Sequence, residues 1–182
     1  SKLAKLNNPA RLTDIPPDLI WERLGMSSSG IFVEIGAGTA FFSLAFLERF
    51  RPSTIYACDL SETMVTWMTE NISPEHPDII PVQSDETSGP LDSQIADLVF
   101  MITLHHELEN PALSLNGAYR LLKPGGKLFI VDWKKKEMPD GPPLSIRCSS
   151  DAVRSQMSQV GFEQIEIYDD LPKHFLVTAA KS

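Results

Sequence analysis

The sequence predicts an α/β protein with a doubly wound, mostly parallel seven-stranded sheet that has one antiparallel strand near the C-terminus. Short apolar segments alternate with amphipathic ones along the chain, as expected for strands joined by crossover helices. Residues 96–103 are almost continuously apolar, which is typical of a central parallel strand covered on both faces. Two glycines follow the first predicted strand where a helix begins, and such folds bind their ligands at that edge.

The predicted strands are short apolar or alternating runs bounded by turn residues. They are Ile31–Ile35, Ile55–Cys58, Ile79–Val82, Ala96–Thr103, Lys127–Asp132, Glu163–Tyr168 and Phe175–Ala180. Each of the first five is followed by a helix, so these strands are expected to be parallel. The last two flank a short turn and are expected to form an antiparallel pair.

Five helices are predicted from the spacing of apolar residues together with residues that begin or end helices. They span residues 18–24, 40–50, 61–70, 110–122 and 150–160. Ser61 and Ser150 are expected to cap two of them, and Pro111 to occupy the first turn of another. Residues 1–14 show little periodicity and are interpreted as a mobile flap.

Length and charge limit the functions that the chain can have. With 182 residues, of which 42% are hydrophobic and 22% charged, residues 1–182 are expected to form one domain. Residues 1–25 would supply the flap and a short helix, and residues 31–182 the ligand-binding core. The net charge is −8, and the one dense basic run, Lys134–Lys136, is too small a footprint for nucleic acid. That run is interpreted as a solvated loop, with a grip on an anionic ligand as the alternative.

Cysteine usage and hydropathy predict a cytoplasmic, soluble protein. Cys58 and Cys148 lack the paired spacing of zinc or redox sites, so no metal is expected and a reducing compartment is favoured. There is no basic leader with an apolar centre, and no apolar run approaches the roughly 18 residues of a membrane helix. Neither a signal peptide nor a membrane span is therefore expected.

The most informative motif is Val-Glu-Ile-Gly-Ala-Gly-Thr at residues 33–39. Glycines at a strand-to-helix turn allow a ligand to approach the backbone, and the helix N-terminus offers N–H groups to it. The next strand ends at Asp59, where a carboxylate accepts hydrogen bonds from both hydroxyls of a ribose. The two features together indicate a nucleotide-like cofactor.

Several segments in order resemble the class I S-adenosylmethionine-dependent methyltransferases, and the likeness runs from about Ile31 to the C-terminus. The stretch after the Leu-His-His segment is similar to the branch that contains the ubiquinone/menaquinone biosynthesis methyltransferases. The matching segments are Glu34-Ile-Gly-Ala-Gly-Thr39, Cys58-Asp-Leu-Ser61, Ser84-Asp-Glu86, Asp97-Leu-Val-Phe-Met-Ile-Thr-Leu-His-His106 and Leu121-Leu-Lys-Pro-Gly-Gly-Lys-Leu-Phe-Ile-Val-Asp132.

The resemblance implies a Rossmann-like fold and S-adenosylmethionine as cofactor, with S-adenosylhomocysteine as its product. The glycine loop would hold the methionine part, and Glu34 would support that loop or meet the amino group through water. Asp59 would bind the ribose, Leu60 and Met64 would sandwich the adenine, and Asp85 would accept from its exocyclic amine. The implied cofactor-binding residues are Glu34, Gly36, Ala37, Gly38, Thr39, Asp59, Leu60, Met64, Asp85, Glu86, Met101 and Ile102.

Several of these residues have a structural alternative. Asp59 also suits a helix N-cap, and Asp85 lies among turn formers where it would close an Asx-type turn. Leu60 and Met64 are four residues apart on a helix and would equally suit the core. A third glycine that is common in the family is replaced by Ala40, which fits if its backbone stays helical.

Methyl transfer needs an aligned acceptor, and an acceptor that must lose a proton also needs a base. His105 and His106 follow the central strand, and imidazole titrates in the useful range, so both are candidate catalytic residues. The alternative is that they bond backbone groups or orient one another. Asp132 and Trp133 would form the opposite wall of the acceptor site.

The resemblance implies a methyltransferase with a small-molecule acceptor, methylated at a ring carbon, and two other functions are alternatives to it. One is a binding-only sensor or partner subunit that retains the fold. The other is an NAD-dependent oxidoreductase, which is disfavoured because the sixth position of the glycine fingerprint must be small and here is Phe41. The acceptor's identity and the oligomeric state do not follow from the sequence.

Overall fold

A computed structural model describes residues 1–182, and its seven strands form one sheet. Their order across the sheet is third, second, first, fourth, fifth, seventh and sixth. The seventh is antiparallel to both of its neighbours, and the other pairs along the sheet are parallel, which confirms the predicted fold class. The strands are β1 (Ile31–Ile35), β2 (Thr54–Asp59), β3 (Ile79–Gln83), β4 (Ala96–Ile102), β5 (Leu122–Trp133), β6 (Glu163–Tyr168) and β7 (His174–Ala180).

Seven α-helices connect and flank the strands, together with 3₁₀ helices at His105–Glu107 and Leu144–Ile146. Ser61 caps its helix as predicted, whereas the cap of the last helix is Ser149 in place of Ser150. None of these helices is long and apolar enough to span a bilayer. The helices are α1 (Lys2–Leu6), α2 (Ala10–Asp14), α3 (Pro17–Leu24), α4 (Phe41–Phe50), α5 (Glu62–Asn71), α6 (Pro111–Leu121) and α7 (Ser150–Val160).

Residues 1–14, interpreted above as a mobile flap, contain the first two helices. Ser1 accepts a hydrogen bond from the N–H of Ala4 at 3.2 Å, and Asn8 accepts one from the N–H of Ala10 at 3.0 Å. Each helix has only five residues, which is little more than one turn. A segment this short shows no 3.6-residue period, so sequence periodicity did not reveal it.

Both faces of the sheet carry a buried apolar cluster. Successive side chains of the central strand point to opposite faces and so belong to different clusters. Phe100 and Ile102 of β4 belong to one buried cluster, and Met101 belongs to the other. On the first face the rings of Phe46, Phe100 and Phe129 stack, with centroids 4.9 Å apart for Phe46–Phe100 and 5.0 Å apart for Phe100–Phe129. This stack anchors α4 to the sheet immediately beyond the glycine loop.

The strand order places the ligand site. From β1 the chain moves first to β2 and β3 on one side, and later to β4 and β5 on the other. Connections that leave β1 and β4 in opposite directions open a crevice beyond the carboxyl ends of these two strands.

We expect Phe100→Ala to lower the free energy of unfolding by about 3–5 kcal/mol, because it leaves a cavity between two stacked rings. Denaturation in urea measures this change. Ile80→Ala on the edge strand β3, where 40% of Ile80 is exposed, is the control and should cost about 1 kcal/mol. Equal losses in the two variants would show that the stack does not stabilise the fold in this way.

Candidate functional site

A cavity of about 530 Å³ opens at the carboxyl ends of β1 and β4. Its volume lies in the range typical of sites for small molecules and cofactors. The wall brings together residues that are distant in the sequence, from the glycine loop, the end of β2, the loop after β3 and the end of β4. Nine of the sequence-predicted residues line it: Glu34, Gly36, Ala37, Gly38, Asp59, Leu60, Asp85, Glu86 and Ile102.

Asp59 joins the glycine loop to the start of α5. Its Oδ2 accepts from the N–H of Gly38 at 2.9 Å, and its Oδ1 accepts from the N–H of Ser61 at 3.0 Å. The N–H of Ala37 donates to the carbonyl of Cys58 at 2.8 Å. Two loop amides expected to be free for a ligand therefore already have partners, because the parallel pairing of β1 with β2 brings acceptors beside the loop. A carboxylate has about four lone-pair positions, so Asp59 keeps two for a ligand.

The glycine loop bends through three left-handed residues. Gly36 and Gly38 have φ of 72° and 61°, and Ala40 has φ of 60°. The expectation that the backbone of Ala40 stays in the right-handed helical region is wrong, because α4 begins only at Phe41 and Ala40 completes the turn. An alanine in this conformation costs about 1–2 kcal/mol relative to the right-handed one, which explains why glycine suits the position.

Glu34 is a buried carboxyl group beneath that loop, with 2% of its surface exposed. Its Oε1 accepts from the hydroxyl of Ser43 at 2.7 Å and from the N–H of Ser43 at 3.2 Å. Burial raises the pKa of Glu34 to about 8, and the bonds from Ser43 and the charge of Arg11 oppose that rise only in part. Glu34 thus ties β1 to the first turn of α4.

Arg11 of α2 lines the cavity and was not identified from the sequence. Its guanidinium lies 4.7 Å from the ring centroid of Phe42 and 5.6 Å from that of Phe41. It donates to the carbonyl of Leu6 at 2.9 Å and lies 3.5 Å from the hydroxyl of Thr103, a residue with a left-handed backbone at the end of β4. A lone arginine in a segment without periodicity carries no motif, and only the packing of α2 over the strand ends reveals it.

Asp85 forms the Asx-type turn that was its structural alternative. Its Oδ1 accepts from the N–H of Thr87 at 2.8 Å, the hydroxyl of Thr87 at 2.7 Å and the N–H of Gly89 at 3.0 Å. These bonds, the one from the Thr87 hydroxyl first, lower the pKa of Asp85 from its ordinary value. Its Oδ2 makes no hydrogen bond within the protein, and Asp85 lines the cavity beside Glu86.

Three residues predicted to bind the cofactor are absent from the cavity wall. Met64 has 6% of its surface exposed, and Met101 is fully buried in the core cluster on the other side of β4 from Ile102. Thr39 is buried, and its hydroxyl lacks a hydrogen-bond partner. The side chain of Met101 is excluded because neighbours along a strand point to opposite faces.

The two candidate catalytic histidines also lie off the cavity wall. His106 Nδ1 is 2.8 Å from Asp132 Oδ1, and its backbone N–H donates to Asp132 Oδ2 at 2.7 Å. The carboxylate of Asp132 raises the pKa of His106, whereas burial lowers the pKa of His105, whose Nε2 is 2.7 Å from Gln156 Oε1. The 3₁₀ helix turns the ring of His106 toward β5 and the ring of His105 toward α7. This corrects the expectation that one of them faces the cavity.

The opposite wall is likewise formed by residues other than the two expected. Leu104, Glu107 and Leu108 line the cavity, whereas Asp132 and Trp133 do not. The Trp133 ring packs on His174, with centroids 4.2 Å apart. No group of three or more His, Cys, Asp or Glu side chains is arranged to hold a metal ion.

Comparison with known proteins connects this geometry to a family. The family model described as a methyltransferase domain matches residues 33–130, which is more than half of the 182 residues. The fold of this chain matches that of an S-adenosylmethionine-dependent methyltransferase from Aquifex aeolicus, known from a crystal structure, with a TM-score of 0.90 and 27% sequence identity. That match covers 100% of this chain and 97% of the other.

Two curated relatives are also described as methyltransferases. An uncharacterized methyltransferase of Bacillus subtilis is 23% identical over 145 residues, which cover 80% of this chain and 78% of that protein. A demethylmenaquinone methyltransferase of Chlamydia muridarum is 30% identical over 110 residues, which cover 59% of this chain and 46% of that protein. This chain spans about half the length of the Chlamydia relative.

We expect the contribution of Glu34 to the stability of the unliganded protein to fall as pH rises from about 4.5 to about 8, because native Glu34 keeps a proton there that the unfolded chain has released. Each unit of pKa difference is worth about 1.4 kcal/mol, so Glu34→Gln should gain several kcal/mol relative to wild type across this window. Urea unfolding at pH 5 and pH 8.5 measures the difference. The control is Glu48→Gln at an exposed position of α4, and a parallel pH dependence of wild type and Glu34→Gln would refute the buried-proton account.

Proposed function

The chain belongs to the class I S-adenosylmethionine-dependent methyltransferases, and from this premise we propose that it transfers a methyl group to a small organic acceptor by in-line displacement. One observation carries the proposal. The glycine loop, Asp59 and Asp85 border a single cavity at the edge where the strand order reverses. These are three of the contacts that an adenosyl cofactor requires, for its methionine part, its ribose and its adenine.

In the proposed complex, the methionine part lies along the loop from Gly36 to Gly38. The two free lone-pair positions of Asp59 take the ribose hydroxyls, while its bond to Gly38 persists. Leu60 supplies one face for the adenine, since 58% of this large apolar side chain is exposed and it borders the cavity. Asp85 Oδ2 accepts from the exocyclic amine.

Arg11 is proposed to bind the carboxylate of the methionine part. It lies on the wall with the glycine loop, and two aromatic rings and the carbonyl of Leu6 hold its guanidinium in place. A guanidinium held in this way pairs with a carboxylate without a further loss of side-chain freedom. Its contact with Leu6 also ties α2 to α1 over the cavity.

In the proposed reaction the acceptor would bond the methyl carbon from the far side as the bond between that carbon and the sulfonium breaks, which would leave neutral S-adenosylhomocysteine. A ring carbon methylated in this way would then lose its proton to solvent. Alignment of the reacting atoms can supply about 7–11 kcal/mol of the barrier, and a dry site favours a step in which opposite charges cancel. The side chains of Phe41, Phe42 and Leu104 give the cavity an apolar wall of this kind. His105 and His106 are proposed to fix the segment after β4, since their rings bond Gln156 and Asp132.

The proposed acceptor is a small organic molecule methylated at a ring carbon. The support is the similarity to the demethylmenaquinone methyltransferase of Chlamydia muridarum and the paired aromatic rings of Phe41 and Phe42 on the wall. The partly exposed ring of Phe41 meets the buried ring of Phe42 edge to face with the centroids 5.2 Å apart, and the Phe41 ring offers an aromatic acceptor a surface on which to pack.

Calorimetry with S-adenosylmethionine and S-adenosylhomocysteine tests the proposed function. We expect wild type to bind both in the micromolar range, roughly −8 kcal/mol. Asp59→Ala should weaken both about 100-fold, because two hydrogen bonds to a charged acceptor are lost. Asp92→Ala, an exposed acid off the cavity wall, is the control, and superimposable titrations of wild type and Asp59→Ala would remove the ribose assignment.

The role of Arg11 has a separate test that uses a ligand without the amino-acid part. We expect Arg11→Met to weaken the binding of S-adenosylhomocysteine by about 10-fold, the cost of one charged hydrogen-bonded pair, and to leave the affinity for 5′-methylthioadenosine unchanged. Lys5→Met, an exposed cation of α1, should change neither affinity. If Arg11→Met weakens both ligands equally, Arg11 supports the cavity as a whole and does not pair with the carboxylate.

A further inference from the structure

The loop between β3 and β4 carries Asp85 and Glu86 into the cavity, and it is closed by its own hydrogen bonds. Besides the three bonds to Asp85 Oδ1, the N–H of Asp85 donates to the carbonyl of Gly89 at 3.0 Å. The N–H of Ser88 donates to the carbonyl of Asp85 at 3.1 Å. Since these bonds fix the shape of the loop, its position relative to the cavity depends on what holds it from outside.

One face of α6 provides that support. Gly117 and Arg120 are three residues apart and therefore lie on the same side of the helix. The guanidinium of Arg120 donates to the carbonyl of Leu91 at 2.7 Å and to that of Thr87 at 3.3 Å. At Gly117 the loop backbone packs directly on the helix, because a Cβ there would lie 2.5 Å from the carbonyl oxygen of Thr87. Neither Gly117 nor Arg120 lines the cavity.

We propose that Gly117 and Arg120 are positioning residues that set how well Asp85 recognises the exocyclic amine of the cofactor's adenine, without touching the cofactor. The inference rests on the proposed function, since it assumes that an adenosyl ligand occupies the cavity. Gly117 sets how closely the loop approaches α6. Arg120 binds two of its carbonyl groups and so holds the loop, with Asp85, at that distance.

The geometry explains why a small shift of this loop matters. Asp85 Oδ1 is fully engaged within the turn, so only Oδ2 is left for a ligand. A hydrogen bond weakens steeply when its distance or angle departs from the favoured range, and a displacement of about 1 Å removes most of it. A methyl group at Gly117 would force a displacement of this size, because the carbonyl oxygen of Thr87 belongs to the backbone.

The test compares S-adenosylhomocysteine with S-inosylhomocysteine, in which an oxygen replaces the exocyclic amine. We expect wild type to prefer S-adenosylhomocysteine by at least about 10-fold, the value of one hydrogen bond to a charged group. In Arg120→Met and Gly117→Ala the preference should fall below about threefold, while the affinity for S-inosylhomocysteine stays within about twofold of wild type. Arg154→Met, an exposed arginine of α7, is the control and should keep the full preference.

A double-mutant cycle separates positioning from a general loss of stability. In an Asp85→Ala background, which already lacks the preference, Arg120→Met should change it no further. If Gly117→Ala fails to fold, the partly exposed Arg120→Met still decides the matter. The positioning role is overturned if Arg120→Met keeps the preference. It is also overturned if wild type binds both ligands without a preference. Failure of wild type to bind either ligand overturns the proposed function and this inference with it.

Discussion

The hydrogen bond between the N–H of Gly38 and the carboxylate of Asp59 links the parts of the site that follow two neighbouring strands. It joins the turn after β1 to the end of β2, and the second oxygen of Asp59 holds the start of α5. Parallel pairing aligns these strand ends, and the carboxylate converts the alignment into a fixed distance between loop and helix. A ligand that adds two hydrogen bonds to Asp59 therefore meets an acceptor that is already held on both sides.

The charged residues on the cavity wall are mostly acidic. Glu34 aside, the acids are Asp59, Asp85, Glu86, Glu107 and Glu109, against the basic residues Lys2 and Arg11. In the proposed complex this excess of acidic groups would attract the positive sulfonium of S-adenosylmethionine. Partial burial would strengthen the attraction, because interactions between charges are weakened less there than in open water.

The fold and the position of the glycine loop at the cavity could be predicted because both follow from local patterns. Strands reveal themselves by short apolar runs, and a loop that must pass close to a ligand reveals itself by glycine. Met101 shows where this reasoning is too coarse: a motif places a segment at the cavity, but alternation along the strand decides which of its side chains face it. The left-handed backbone of Ala40 shows the same limit, since alanine carries no signal for that conformation.

The part of the cavity wall that Arg11 lines was harder to predict for a physical reason. It is bordered by α1 and α2, of five residues each, and by a 3₁₀ helix of three. Helices this short are unstable alone and take their positions from tertiary contacts, such as those of Arg11 with Phe42 and Leu6.

The same reason accounts for the two histidines. Their neighbourhood in sequence predicted a place at the cavity, but Asp132 and Gln156 compete for their rings and turn them away. The glycine loop and Asp59 could thus be located because their residues shape their own backbone. Arg11 and the two histidines lie on short segments whose placement is decided by partners elsewhere in the chain.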